Sequence, residues 1–221
     1  MNNKSYNQFC GLAYALDIIG ERWTLLIIRE LFAGPRRYTD LMGGLPGISS
    51  NLLSERLRAL EQQGLICKRV LPPPAASTVY ELTDLGRGLE NALLALGKWG
   101  SQFVPEQPVD DVVLSANSYA LTLKTFFRSA SAREMDDTYE LHIDEEVLTV
   151  RIHAGKIDVR QGMAPGAMMT LHTDIGTYLG LLTGNVDPDA AVKQGLARIE
   201  GDQEAMRRFL AVCGIPAVDQ R

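Results

Sequence analysis

The chain has 221 residues, of which 46% are hydrophobic and 22% are charged, a balance typical of a folded protein with two modest domains. Its apolar runs are all far shorter than the roughly 18 residues of a membrane-spanning helix. The N-terminal stretch lacks a long apolar run ending in a cleavage-type site, so we expect a cytoplasmic protein. The three cysteines, Cys10, Cys67 and Cys213, have the spacing of neither a disulfide framework nor a zinc site.

The net charge of −5 is unevenly distributed along the chain. Residues 1–105 carry 11 Lys and Arg against 9 Asp and Glu, a net charge of +2, whereas residues 106–221 carry 11 against 18, a net charge of −7. Only the first half is therefore suited to nucleic acid. Two prolines and three acids follow an apolar stretch near residue 105, which predicts a linker over 105–112 between domains 1–104 and 113–221.

The first half reads as short helices followed by a hairpin and a last helix. Apolar residues at helical spacing, ended by glycine or proline, predict helices at 12–19, 23–33 and 37–42, and a fourth from Ser49 or Ser50 to 63. Strands are predicted at 65–71 and 78–82, on either side of a proline-rich loop that cannot pair regularly. A long final helix is predicted at about 85–103.

This order of elements is that of a winged helix-turn-helix. A helix of about 14 residues fits the major groove of B-DNA, and polar side chains near its N-terminus reach base edges. Asn51, Ser54 and Arg58 face away from the leucines of the fourth helix, so they are candidates for base or groove contacts, a solvated face being the alternative. Arg36 and Arg37, just before the third helix, are candidates for phosphate contacts.

Residues 9–103 resemble the HxlR-type (DUF24) branch of the MarR-like winged-helix regulators. The resemblance rests on blocks that match in order and spacing, including GERWTLLIIREL at 20–31, GPRRYTDL at 34–41, LPGIS at 45–49, LLSERLRALE at 52–61 and YELTDLG at 80–86. Small departures are Arg22 and Tyr38, where the family usually has Lys and Phe. The resemblance implies a homodimer, built from the first and last helices of the module, on a double-stranded operator.

The DNA-binding residues predicted on this basis are Arg36, Arg37, Tyr38, Ser49, Ser50, Asn51, Ser54, Arg56, Arg58, Lys68 and Arg69. The family's wing tip usually carries a basic residue, which this proline-rich tip lacks, and its weaker substitutes here are Lys68, Arg69, Ser77 and Thr78. Arg56 has an alternative as a partner of Glu55, Glu61 or another surface acid, an interaction that stabilises little.

An apolar stripe on the last helix of the module supports the dimer independently of the resemblance. It is formed by Leu89, Leu93, Leu96, Trp99, Gly100 and Phe103 and is longer than one small domain can cover, ordinary core being the alternative. Cys10, just before the first helix, is a candidate redox or electrophile sensor, because a cysteine at this position has that role in some regulators of the family and a helix dipole lowers a thiol pKa. The alternative is a small apolar residue at the dimer interface.

The second half reads as helices and five strands. A helix is predicted at 115–130, then strands at 138–143, 147–152 and 156–160 as an antiparallel meander, and a fourth strand at 168–173. Helices at 175–182 and 188–194, a fifth strand at 197–200 and a last helix to about 213 follow. Its three histidines have no Cys or carboxylate cluster at ligand spacing, so no metal or cofactor is expected.

This half is similar to the sterol-carrier-protein-2 (SCP2-like) domain. The similarity rests on the meander, on MTLHT at 169–173 leading into a helix, on LTG at 182–184 and on GLARIEGD at 195–202. It implies an α/β sandwich around an apolar cavity. Methionine adapts to varied apolar ligands. The predicted ligand-binding residues are Met163, Met168, Met169, Leu171, Tyr178, Leu179 and Leu182, a filled core being the alternative.

The predicted fold class is α+β, with an N-terminal winged helix-turn-helix and a C-terminal SCP2-like domain that has a five-stranded sheet. The predicted function is a homodimeric transcriptional regulator on an inverted-repeat operator, whose second domain binds an apolar small-molecule effector and thereby shifts the spacing of the recognition helices. The alternative is a carrier of hydrophobic ligands whose winged helix serves assembly. No Ser/His/Asp or paired-carboxylate set is evident, so catalytic residues are not expected.

Overall fold

The computed structural model describes residues 5–73, 76–104 and 116–215. The chain divides into two compact units, residues 1–93 and 94–221, and the predicted linker at 105–112 lies outside the described residues. The predicted α+β class is confirmed, with helices and a two-stranded sheet in the first unit and a five-stranded sheet in the second. Among the described helices, none has the length and apolar character that crossing a bilayer requires.

The first unit is built on four helices that match the predicted ones closely: α1 (Gly11–Ile19), α2 (Thr24–Phe32), α3 (Tyr38–Gly44) and α4 (Ser50–Gln62). Apolar residues three or four apart on α2 and α4 form the core, because that spacing places them on one face of a helix. Ile27 and Leu31 of α2 and Leu53 and Leu57 of α4 are all nearly fully buried.

The predicted hairpin is confirmed and gains a third backbone segment. Strands β1 (Ile66–Val70) and β2 (Thr78–Leu82) pair antiparallel, with Lys68 opposite Tyr80. Tyr80 also pairs on its other side with Arg36, whose N–H donates to the Tyr80 carbonyl at 2.9 Å and whose carbonyl accepts from the Tyr80 N–H at 2.7 Å. The segment before α3 is therefore fixed to the hairpin, which we call the wing.

The prediction of a single helix at 85–103 is wrong in one respect, because the chain forms two helices there. These are α5 (Asp84–Arg87) and α6 (Glu90–Gly100), followed by a 3-10 turn over Ser101–Phe103. The break is local: Gly88 ends α5, and glycine is unfavourable inside a helix. Gly86 is buried against the Leu65 carbonyl, where a side chain would collide.

The second unit is a five-stranded sheet in the order β5-β4-β3-β6-β7. Its elements are α7 (Ala116–Phe126), a 3-10 turn at Ser129–Ala132, β3 (Asp136–Ile143), β4 (Glu146–His153), β5 (Lys156–Gln161), β6 (Met169–Thr173), α8 (Ile175–Thr183), α9 (Pro188–Lys193), β7 (Ala197–Gly201) and α10 (Gln203–Cys213). The predicted meander β3-β4-β5 is confirmed. Strand β6 pairs parallel with β3 and antiparallel with β7, which makes the sheet mixed.

The two faces of this sheet differ, as the alternation of residues along each strand requires. On β3, Tyr139, Leu141 and Ile143 are fully buried, whereas His142 on the other face is partly exposed. Helix α10 packs against the buried face, where the Phe209 ring lies 5.1 Å from that of Tyr139. The core of the second unit therefore lies on one side of the sheet, and the other side is polar.

Candidate nucleic-acid interface

Helix α4 presents a polar row to solvent. Ser49 caps the helix, its Oγ accepting from the Leu52 N–H at 3.3 Å, so the N-terminal turn is well formed. Asn51, Ser54 and Arg58 are exposed and share one face, because positions three, four and seven apart align on a helix. Ser50 is exposed beside them. This row has the length and chemistry of a surface that reads a DNA groove.

Tyr38 joins the start of α3 to the start of α4. Its hydroxyl donates to the Ser50 carbonyl at 2.8 Å and lies 3.2 Å from Ser54 Oγ. Arg37, which precedes it, is exposed, and its backbone N–H donates to the Asp40 carboxylate at 2.9 Å. The structure therefore brings Tyr38 next to the N-terminal turn of α4, with the exposed Arg37 directly before it in the chain.

The basic residues around this surface fall into two groups. Within the described residues, Arg37 and Arg58 have no carboxylate at ion-pair distance. Lys68 and Arg69 on the wing are exposed but paired, Lys68 with Glu61 at 3.0 Å and Arg69 with Glu81 at 2.9 Å. The Glu61 hydrogen bond also raises the pKa of Lys68. The positive charge of the wing is thus largely compensated within the protein.

Two of the predicted DNA contacts are placed inside the fold. Arg36 is 4% exposed, because its backbone pairing with Tyr80 draws the residue under the wing, and the prediction of a phosphate contact there is wrong. The Arg56 side chain is 14% exposed. Its guanidinium pairs with Glu55 at 2.9 Å and with Glu21 at 3.1 Å, so it is directed toward the protein and away from the polar row.

Comparison with known proteins agrees with this geometry. The family model described as HxlR-like helix-turn-helix matches residues 18–108. An uncharacterized HTH-type transcriptional regulator, sll1512, of Synechocystis is 35% identical over 48% of this chain and 78% of its own length. The HTH-type transcriptional regulator YodB of Bacillus subtilis is 36% identical over 44% of this chain and 86% of its own length.

The chain belongs to the HxlR-like family of helix-turn-helix transcriptional regulators. The second half of this HxlR-type regulator carries an SCP2 domain, since the model of the SCP-2 sterol transfer family matches residues 123–214. Among solved structures, reduced YodB is 32% identical with a TM-score of 0.39 over 46% of this chain and all of its own. A double mutant of the secondary alkyl sulfatase PisA1 is 19% identical with a TM-score of 0.43, over 46% of this chain and 17% of its own.

Cys10 of the regulator is exposed and stands immediately before α1. The backbone amides of Ala13 and Leu12 lower the pKa of its thiol. The other two thiols behave in the opposite way, since burial raises the pKa of Cys67 and raises that of Cys213 to about 12. Cys10 is therefore the thiol with the most thiolate at neutral pH.

The predicted ligand-binding residues of the SCP2 domain fall into three groups. Met169, Leu171, Tyr178 and Leu182 are at most 2% exposed and belong to the core. Leu179 is partly exposed, and Met168 is 39% exposed. Met163 is 75% exposed and lines a separate cleft of about 330 Å³ that includes residues of the polar sheet face, so the prediction that it joins the others is wrong.

Two polar features of this domain were not evident from the sequence. Tyr178 is buried, and its hydroxyl has no hydrogen-bond partner among the described residues. His142 and His172 stack on the polar face of the sheet with ring centroids 4.4 Å apart, because β3 and β6 pair in parallel register there. In the part of the chain that the structure describes, no three His, Cys, Asp or Glu side chains are arranged to hold a metal ion.

Proposed function

We propose that this regulator binds an inverted-repeat DNA operator as a homodimer, with α4 of each protomer in the major groove. The observation that carries the proposal is the exposed row of Asn51, Ser54 and Arg58, flanked by Arg37. Asparagine and arginine are the side chains best suited to hydrogen bonding with base edges. Arg37 and Arg58 are free to neutralise phosphates, because they do not share their charge with a carboxylate of the described residues.

Exposed apolar side chains on two helices support the homodimer. On α1, Leu12 is 68% and Leu16 41% exposed, and Phe9 just before the helix is fully exposed. On α6, Leu96 is 49% and Trp99 63% exposed. Large apolar side chains gathered on a helix face indicate an interaction surface. We therefore assign α1 and α6, the first and last helices predicted for dimerisation, to the protomer interface.

We propose further that the SCP2 domain binds an apolar small molecule and that binding changes the affinity for the operator. The match to the SCP-2 sterol transfer family supports a hydrophobic ligand. A ligand regulates only if it binds the DNA-competent and incompetent arrangements with different affinity. The effector therefore acts by shifting the population of dimers whose two α4 helices match the half-site spacing.

The DNA-binding proposal is tested by selecting duplexes from a random library with the full-length protein. We expect the selected sequences to contain an inverted repeat with half-sites about 10 base pairs apart or a multiple of that, because two recognition helices must meet the same side of the duplex. Titration of a selected duplex gives the affinity by fluorescence anisotropy. Failure to enrich any sequence would contradict the proposal.

The effector proposal is tested by calorimetric titration with fatty acids and with aromatic acids. We expect heat of binding for at least one class, and a change in the affinity for the selected duplex in its presence. Binding without a change in operator affinity would instead favour a carrier. The absence of both heat and an affinity change would contradict the proposal of an apolar effector.

A further inference from the structure

The turn between α1 and α2 contains a strained residue. Trp23 has φ 78° and ψ −20°, in the left-handed region, although it is a bulky residue rather than glycine. Such a conformation is sterically unfavourable for a residue with a side chain and persists only where surrounding contacts hold it in place. The carbonyl of Trp23 accepts from the Ile27 N–H at 2.9 Å, so this conformation sets where α2 begins.

Arg56, in the middle of α4, holds this turn from the outside. Its Nη2 pairs with the Glu21 carboxylate at 3.1 Å, and its Nε donates to the Arg22 carbonyl at 3.3 Å. Its third nitrogen, Nη1, donates to Glu55 at 2.9 Å, which orients the guanidinium from its own helix. We call this set of contacts the Arg56 clamp. It joins α4 to the α1–α2 turn, whose two contacting residues lie 34 and 35 positions before Arg56 in the sequence.

A second contact supports the same junction. The Trp23 ring lies beside Gly47, which has φ +85° in the turn leading to α4. The Arg22 guanidinium lies 5.3 Å from the centre of the Trp23 ring, within the range of a cation–π contact. The α1–α2 turn therefore touches both the segment before α4 and the middle of α4. These contacts fix the angle between the first helix and the recognition helix.

We infer that Arg56 is a positioning residue for DNA recognition and that Glu21 is its anchor. The inference rests on the proposed function, in which α1 belongs to the protomer interface and α4 enters the groove. In such a dimer, the junction of α1 and α4 determines the distance and angle between the two recognition helices. The Arg56 clamp thus sets which half-site spacing the dimer accepts, although Arg56 itself touches no DNA.

Glu21 provides the sharpest test, because two accounts predict opposite signs. Its side chain is 59% exposed, so Glu21→Gln removes a negative charge without disturbing the core. Simple electrostatics then predicts tighter DNA binding. The clamp account predicts weaker binding to the preferred operator by about five- to tenfold, the lower end of the usual range of coupling between sites.

The experiment compares two duplexes: the operator selected by the wild-type protein, and the same operator with one base pair inserted between its half-sites. Affinities are measured for the full-length wild type, Glu21→Gln, Arg56→Lys and the control Asp84→Asn, which removes an exposed acid outside the clamp. Arg56→Lys keeps the charge but cannot bridge the Glu21 carboxylate and the Arg22 carbonyl together. Circular dichroism and sedimentation confirm that each variant is folded and dimeric.

We expect the wild type and Asp84→Asn to prefer the selected spacing, and Glu21→Gln and Arg56→Lys to lose most of that preference. Equal or tighter binding by Glu21→Gln with unchanged spacing preference would overturn the clamp. If Arg56 contacted a phosphate instead, Arg56→Lys would keep the operator affinity of the wild type, and that result would also contradict the inference. If the wild type binds no duplex, the proposed function itself fails, and the inference with it.

Discussion

The two halves of the molecule treat their charged and apolar side chains differently. Among the described residues, thirteen large apolar side chains are exposed in residues 5–104 and four in residues 116–215. In the second half, Arg160 is paired with Asp158, Arg198 with Glu200 and Arg207 with Asp189 and Glu204, whereas Arg128 donates to the Ala211 carbonyl. In the first half, Arg37 and Arg58 have no carboxylate partner within the described residues.

Under the proposed function, pairing distinguishes the basic residues near α4 better than the number of charges does. Each half has 11 basic residues, so counting them favours neither. An arginine that already shares its charge with a carboxylate must give up that contact to bind a phosphate, whereas an unpaired one releases only solvent and counterions. Under the proposed function, we therefore expect Arg37 and Arg58 to contribute more to DNA binding than the paired Lys68 and Arg69.

The largest expected effect comes from the exposed apolar side chains of the first half. Leu12→Glu places a charge on the α1 face, and we expect it to convert the dimer to a monomer and to weaken operator binding about 100-fold or more, because avidity is lost. Light scattering and anisotropy measure the two effects. The control is Leu85→Glu, a comparably exposed leucine on α5. A Leu12→Glu protein that remained dimeric would refute this assignment of the interface.

The next effect concerns base recognition on α4. Asn51→Ala removes an exposed amide, and we expect a loss of about 1–3 kcal/mol for the selected operator, the value of one good side-chain–base pair. Binding to non-specific duplex should not change, because that binding depends on phosphate contacts. Gln62→Ala, near the exposed C-terminal end of α4, is the matched control. An equal loss on both duplexes would argue against a base contact.

The second half should respond in its stability and not in DNA binding. The buried Asp137 accepts from Tyr139 Oη at 2.7 Å and from Arg208 Nε at 3.1 Å. Replacing it as Asp137→Asn leaves Arg208 with a weaker partner, and we expect a loss of about 2–3 kcal/mol in the free energy of unfolding. Asp158→Asn breaks an exposed pair and should cost far less. Urea unfolding measures both, and reduced operator affinity in Asp137→Asn at unchanged fold would contradict the separation of roles.

A smaller effect should appear as a dependence on pH. Burial, followed by the charges of Arg198 and His142, lowers the pKa of His172 below its ordinary value of 6.5, outweighing the opposite influence of Glu200 and Glu140. The unfolded chain then binds a proton more readily than the folded one, so stability falls as the pH drops from 7 through 6.5 toward the folded pKa. We expect His172→Gln to flatten this part of the profile in thermal unfolding, and the comparison variant is His153→Gln, which removes an exposed histidine outside the His142–His172 stack. Identical profiles in both would rule out His172 as the source.

Much of the fold could be predicted from the sequence because its signals are local. Ser49 and Asp174 cap helices where the pattern predicted them, and the meander follows from alternation along three short segments. The prediction of one long helix at 85–103 was wrong although Gly88, a residue unfavourable inside a helix, marks the break locally. The packing of Gly86 against Leu65 that accompanies the break involves a residue distant in sequence.

The candidate site was predictable only in part, because its remaining features depend on long-range partners. The exposed face of α4 follows from helical periodicity, so the exposure of Asn51, Ser54 and Arg58 on one face was predictable. The burial of Arg36 depends on Tyr80, and the orientation of Arg56 depends on Glu21. Neither partner could be identified from sequence spacing. The separation of Met163 from the apolar core likewise depends on which face of the sheet its loop covers.

The salt dependence of operator binding by Arg58→Gln and Lys68→Gln is the most direct test of the proposed DNA surface. Both substitutions remove one positive charge from the first half, but Lys68 is paired with Glu61 and Arg58 is not paired within the described residues. We predict that the slope of log affinity against log salt falls by about one for Arg58→Gln and stays near the wild-type value for Lys68→Gln. Equal slopes for the two variants, or a larger change for Lys68→Gln, would contradict the proposal that the unpaired Arg58, and not the paired Lys68, neutralises a DNA phosphate.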